Sequence, residues 1–199
     1  MMPRWVAGVD GCKAGWVVAF VDLNHEDIRV RVMEHFTDIF AAPEEPCLVA
    51  VDIPIGLPAH IGPQGRGPEH AVRPLLGDRQ SSVFAVPSRG AVYAQDYGTA
   101  CRIALATSDP PKKVSKQLFM IAPKIREVDE TLRNAPSLTG RVFEVHPEVA
   151  FWRLNGQEGQ RPSLWARSRI AADIARRPRI FQGRDRTGRA AGRSHRRSS

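Results

Sequence analysis

Asp10 and Asp52 each close a strongly apolar run, Val6-Ala7-Gly8-Val9 and Leu48-Val49-Ala50-Val51. Open α/β sheets place ligands and catalysis at the carboxyl ends of such strands. If the two strands are neighbours the carboxylates converge, and their repulsion is relieved by a divalent cation. Two hard cations about 4 Å apart serve in-line phosphodiester cleavage, so Mg2+ or Mn2+ is the ion this pair would take. The local alternative is that Asp10 caps the Gly11–Gly15 turn and Asp52 caps the loop before Pro54, a common use of Asp at strand ends.

A second polar cluster, Glu144, His146 and Glu148, follows the run Arg141 to Val145. Alternation along a strand puts Val142, Glu144 and His146 on one side, so a carboxylate and an imidazole share a face. Glu144 is the candidate third metal ligand beside Asp10 and Asp52, with Glu148 as its competitor. His146, whose ordinary pKa is near neutrality, could ligate or move a proton; a solvated strand exit is the alternative. For substrate, Arg79, Ser81 and Ser82, with Arg89 downstream, offer guanidinium forks and hydroxyls suited to phosphate oxygens. Lys13 in the first turn and Lys116 near Ser115 add cations, and all of these are equally readable as solvated surface groups.

The elements that must position these groups are legible in part. Val6–Asp10 reads as a strand, Gly11–Gly15 as a turn, and Trp16–Val21 as the strand that returns. Ile28-Arg29-Val30-Arg31-Val32 alternates with period two, completing a three-stranded antiparallel opening. Phe36–Phe40 reads as a short helix, and Leu48–Val51 as a buried parallel strand. The stretch from Ile53 to Pro74 is crowded with proline and glycine and reads as a long loop, continued irregularly from Ser81 to Tyr93. From Ser115, a suitable N-cap, Leu118, Ile121, Ile125, Val128 and Leu132 recur at helical spacing. A last short strand spans Arg141–Val145, with His146-Pro147-Glu148 as its exit turn. The order is that of an α/β fold with three antiparallel strands, then parallel strands, and flanking helices; an RNase H-like mixed sheet has this order, and several other α/β folds begin similarly.

The chain has 199 residues and a formal net charge of +8. Residues 1–155 carry 17 Lys and Arg against 18 Asp and Glu, whereas residues 156–199 carry 12 Arg and no Lys against 3 acids. The basic excess therefore belongs to the tail and implies no basic groove in the core. Cys12, Cys47 and Cys101 are widely spaced without a C-x-x-C pair, suggesting neither a disulfide framework nor a zinc site and fitting a reducing compartment. No leader or membrane-spanning stretch is read, so a cytoplasmic protein that does not engage membrane is expected. Oligomeric state is not legible.

Six blocks in order carry a family resemblance: Gly8-Val9-Asp10-Gly11-Cys12-Lys13-Ala14-Gly15-Trp16, Val51-Asp52-Ile53-Pro54-Ile55-Gly56-Leu57-Pro58, Arg79-Gln80-Ser81-Ser82-Val83-Phe84, Ser115-Lys116-Gln117, Lys124-Ile125-Arg126-Glu127-Val128-Asp129 and Glu144-Val145-His146-Pro147-Glu148. Together they resemble DUF429, a family of predicted nucleases with an RNase H-like fold. The resemblance implies a metal-dependent phosphodiesterase site on Asp10 and Asp52, with a nucleic acid or nucleotide as substrate. The blocks end near Asn155-Gly156, and the family's later Ser-Lys-Lys stretch and acidic helix, which would supply the remaining metal ligand, are not found.

The sequence thus divides into a core, residues 1–156, and an arginine-rich tail, residues 157–199, expected to be largely disordered beyond one short helix around Leu164 to Ile174. A gene read out of frame explains a lysine-free arginine bias, and an arginine-rich RNA-binding tail is the alternative. Without the last acidic helix the expectations are a nuclease core, inactive in this version, or a module that binds nucleotide or nucleic acid without cutting. A sugar- or acetate-kinase-like phosphotransferase ranks last, because no second glycine-rich phosphate loop is read.

Overall fold

The computed structural model describes residues 4–24 and 27–154. Five strands form one mixed sheet: β1 (Trp5–Cys12), β2 (Gly15–Asp22), β3 (Ile28–Met33), β4 (Leu48–Val51) and β5 (Val142–Glu144). Their order is β3-β2-β1-β4-β5, antiparallel between β1, β2 and β3 and parallel between β1, β4 and β5. This is an α/β fold with the strand order and directions of an RNase H-like sheet, as expected.

The hairpin is tighter than the five-residue turn expected. β1 runs on past Asp10 to Cys12, which pairs with Gly15 across a two-residue turn of Lys13 and Ala14. Gly15 has φ +130°, and a Cβ there would lie 2.1 Å from the Met33 carbonyl oxygen, so only glycine fits between the hairpin and the end of β3. Gly15→Ala should accordingly cost several kcal/mol, about 3, in urea unfolding.

Alternation divides the sheet cleanly. Trp5, Ala7, Val9, Trp16, Val18, Phe20, Val49, Val51 and Val142 are buried on one face. Helix α4 (Lys116–Asn134) supplies Leu118, Ala122, Ile125 and Val128 to the same core. Ser115 caps it as expected, its hydroxyl accepting from Leu118 N–H at 3.2 Å. The opposite face is open to solvent at Val17, Leu48 and Phe143, and β3 contributes to it in an unexpected sense. Its apolar residues face outward, Val30 51% and Val32 57% exposed, while Arg29 and Arg31 turn inward over the rings of Trp5 and Phe20.

Both arginines pair with Glu44, which is fully buried by its side chain. Burial works against the Glu44 charge, but Arg31 and Arg29 outweigh it and hold its pKa below the usual carboxylate range. A depressed carboxylate contributes stability that is present above its ordinary pKa and lost as pH falls through the folded value. Glu44→Gln should therefore flatten the acid side of a stability-versus-pH curve below about pH 4 and cost roughly 1 kcal/mol at neutral pH, because the half-exposed Arg29 and Arg31 stay solvated when their counter-charge is lost.

The proline- and glycine-rich stretch read as loop holds a helix, α1 (Gly67–Leu76), with Pro68 in its first turn, where the missing N–H costs nothing. The chain also forms α2 (Arg89–Val92), α3 (Tyr97–Ala106) and α5 (Pro147–Leu154) where the sequence reading had turns or nothing. No helix among the described residues is long and apolar enough to cross a membrane. The tail from residue 155, and the expectations for it, lie outside the described residues.

Candidate functional site

Strand register brings the two aspartates together. β1 and β4 run parallel with Val9 level with Val51, and Asp52 N–H donates to Val9 C=O at 3.1 Å. Asp10 and Asp52 are therefore the next level of the same pairing, side by side on adjacent strands about 4.8 Å apart, projecting to the open face. Asp10 is not the last residue of β1, as the sequence suggested, but it is the first beyond β1's pairing with β4.

Neither carboxylate has a hydrogen-bond or ion-pair partner among the described residues, which removes the reading of both as local caps. Burial raises the Asp52 pKa; the charge of His146 opposes this, while those of Asp10 and Glu144 add to it. Asp10, Asp52, Glu144 and His146 are thus within electrostatic reach of one another. An uncompensated carboxylate pair with no cation of its own is the donor set that Mg2+ takes, because that ion binds one or two protein carboxylates and keeps several waters.

Glu144, the expected third ligand, is not placed beside this pair. In the β4–β5 register Glu144 is level with Val51, one residue short of Asp52, and so faces the covered side of the sheet. There both oxygens are used: Oε2 accepts from Ile55 N–H at 2.9 Å and Oε1 from Arg66 Nη2 at 2.8 Å. Glu148 accepts from Arg79 Nη1 with both oxygens at 2.9 Å. Among the described residues no three His, Cys, Asp or Glu side chains form a group that could hold a metal. The expectation of a three-carboxylate shell is therefore corrected to a pair, since Glu144 and Glu148 are spent on arginines. His146 Nδ1 lies 3.3 Å from the Glu148 backbone nitrogen and Nε2 3.5 Å from the Ser82 carbonyl oxygen, and these two contacts orient the ring.

Arg66, which the sequence reading did not single out, is the hub behind the pair. It is only 5% exposed and uses its guanidinium completely: Nε and Nη2 on Glu69, Nη1 on the Ile55 and Gly56 carbonyls, and Nη2 also on Glu144. Loop 53–58, which leaves Asp52, is thereby tied to β5 and α1. An Arg-x-x-Glu spacing beside a proline in the first turn of a helix was the available signal.

The expected phosphate-binding groups are dispersed or engaged. Arg79 pairs with Glu148, and Arg89 donates to Asp129 at 3.0 Å, where Tyr93 also donates at 2.9 Å. Ser82 Oγ donates to the Arg79 carbonyl at 2.8 Å. Ser81, Lys13 and Lys116 are exposed. Asp129 is buried, so burial and this hydrogen bond push the Tyr93 pKa up to about 12. Tyr93→Phe should cost about 1–2 kcal/mol in chemical denaturation by removing a donor from a buried carboxylate. Glu127 in the same block accepts from Trp16 Nε1 at 3.0 Å and Phe36 N–H at 2.6 Å, and Arg126 Nη1 donates to the Val92 and Ala94 carbonyls. The block Lys124 to Asp129 thus docks α4 onto its neighbours.

The fold and the aspartate pair define an α/β protein with a carboxylate site at the ends of adjacent parallel strands. The chain belongs to the family described as "Protein of unknown function (DUF429)", whose model matches residues 8–198. The likeness therefore does not stop at Gly156, as the six blocks alone suggested. No curated protein and no solved structure matches the chain.

Proposed function

We propose that this chain is a metal-dependent phosphodiesterase, a nuclease, acting through Asp10 and Asp52. The observation that carries the reading is the unpartnered pair of carboxylates side by side at the ends of parallel strands, one of them with a raised pKa. Asp10 and Asp52 would hold Mg2+ or Mn2+, which when bound supplies charge neutralisation at a phosphoryl oxygen and a more acidic water. The protein's own part is to fix the two carboxylates in register, hold Asp52's loop through Arg66, and place the His146 ring where its charge would stabilise ionised Asp52. Perturbed carboxylates kept without a counter-ion are more common at functional sites than elsewhere.

A second reading has its own observation. Because Glu144 and Glu148 are engaged by Arg66 and Arg79, the described residues offer two metal ligands, which suits a module that binds nucleotide or nucleic acid without cutting it. Titration calorimetry separates the readings. Stoichiometric Mn2+ binding that disappears in Asp10→Asn supports the enzyme; nucleic-acid binding indifferent to metal and to that substitution supports the module.

A further inference from the structure

We propose that a small cavity on the side of the core away from the open sheet face is a subsite for a phosphomonoester dianion. It has a volume of about 120 Å3 between loop 61–66, α1 and the segment 108–112, and it opens to solvent. That is below the roughly 300–1,000 Å3 of pockets that bury a whole small-molecule ligand, so the space suits a group of phosphate size with the rest of the ligand left in solvent.

The charges around it are not balanced internally. Arg66 and Glu69 line it but are spent on each other. Arg73 donates one Nη2 N–H to the Val83 carbonyl at 3.2 Å, and its Nε and Nη1 have no partner among the described residues. Lys112 and Asp109, both exposed, line the same space, also without an ion pair among the described residues. Two open cations against one carboxylate leave a net positive cavity, and a dianion that accepts from both cations is the ligand it fits.

The loop wall is bare as well. A Cβ at Gly62 or Gly67 would meet nothing within 4 Å, and one at Gly65 would meet only Arg73 Nη1, at 3.9 Å. An anion can therefore come up against the backbone of Gly62-Pro63-Gln64-Gly65-Arg66-Gly67, part of the stretch the sequence suggested was a long functional or mobile loop. Arg66 connects this wall to the loop after Asp52 through the Ile55 and Gly56 carbonyls. The proposal goes beyond the phosphodiesterase reading, and its test does not use catalysis.

Inorganic phosphate is titrated into the full chain by calorimetry, with folding of each variant checked by circular dichroism. Saturable binding that weakens with added salt is expected, with Lys112→Gln and Arg73→Gln each losing about tenfold and Asp109→Asn gaining affinity. Asp10→Asn should bind phosphate as the unaltered chain does, which keeps this result separate from the fate of the metal site. A 5′-phosphorylated oligonucleotide that binds tighter than its 5′-hydroxyl form assigns the subsite to a nucleic-acid end; equal binding of the two, with phosphate still bound, assigns it to a small phosphomonoester. No saturable phosphate binding, or affinity unchanged in the folded Lys112→Gln and Arg73→Gln variants, overturns the proposal.

Discussion

Arg66→Met should be the most damaging single substitution in the core, costing about 3–5 kcal/mol. The side chain is replaced by one of similar length, so packing changes little, but buried Glu69 and half-buried Glu144 lose their cation together. Removing one partner of a buried ion pair leaves a charge that the interior cannot solvate, and that cost exceeds the net worth of the pair itself. Against a typical total stability of about 5–15 kcal/mol the loss is a large fraction. Chemical denaturation measures it directly. Combining Arg66→Met with Glu69→Gln should recover part of the loss, because one stranded charge is then neutral; simple additivity of the two substitutions would contradict the network. Arg66→Lys keeps the charge but not the five-donor fork that reaches Glu69, Glu144 and two carbonyls at once, and should fall between.

Asp52→Asn should do the opposite, raising stability while abolishing the proposed activity. The Asp52 pKa is raised chiefly by burial, with the Asp10 and Glu144 charges adding and His146 opposing. A carboxyl raised in the folded state favours folding when protonated, so its contribution is fully present below its ordinary pKa and is lost as pH rises through the folded value. The asparagine variant does not ionise and keeps what Asp52 loses. It should match the unaltered chain at low pH and exceed it at pH 7 by about 1 kcal/mol, or roughly 2–4 °C in Tm for a chain of this size. Mn2+ should reverse the order: a ligand at a hundred times its Kd stabilises by about 2.7 kcal/mol, and only the chain that retains Asp52 can gain it. An asparagine variant less stable than the parent at neutral pH without metal would show that Asp52 has a structural partner.

Asp10 and Asp52 were legible as a pair because two apolar runs of parallel-sheet character each end on a carboxylate, and the register that joins them is set by the sheet. Glu144 and Glu148 were misjudged for a reason that sequence does not display. A carboxylate's partner lies far along the chain, Arg66 for one and Arg79 for the other, and strand alternation gives the side of a residue without its level against the neighbouring strand. Helix α1 was hidden by Pro68 and Gly67, which break a helix in its middle and suit its first turn. α4 was plain because its apolar face, Leu118 to Leu132, repeats over about four turns with Ser115 at its start. The outward valines of β3 escaped notice because period two is the same whichever side is inward; the inward choice is made by Glu44, Trp5 and Phe20 receiving Arg29 and Arg31.

On the proposed reading, Asp10 and Asp52 are the groups that make phosphodiester cleavage depend on metal. Incubation of the full chain with short DNA, RNA and hybrid substrates, with Mg2+, with Mn2+ and with chelator, beside Asp10→Asn, tests this most directly. Cleavage of at least one substrate that requires the metal and falls by roughly 10²-fold or more in Asp10→Asn is the predicted result. Cleavage that persists unchanged in Asp10→Asn, or that ignores chelator, would contradict it.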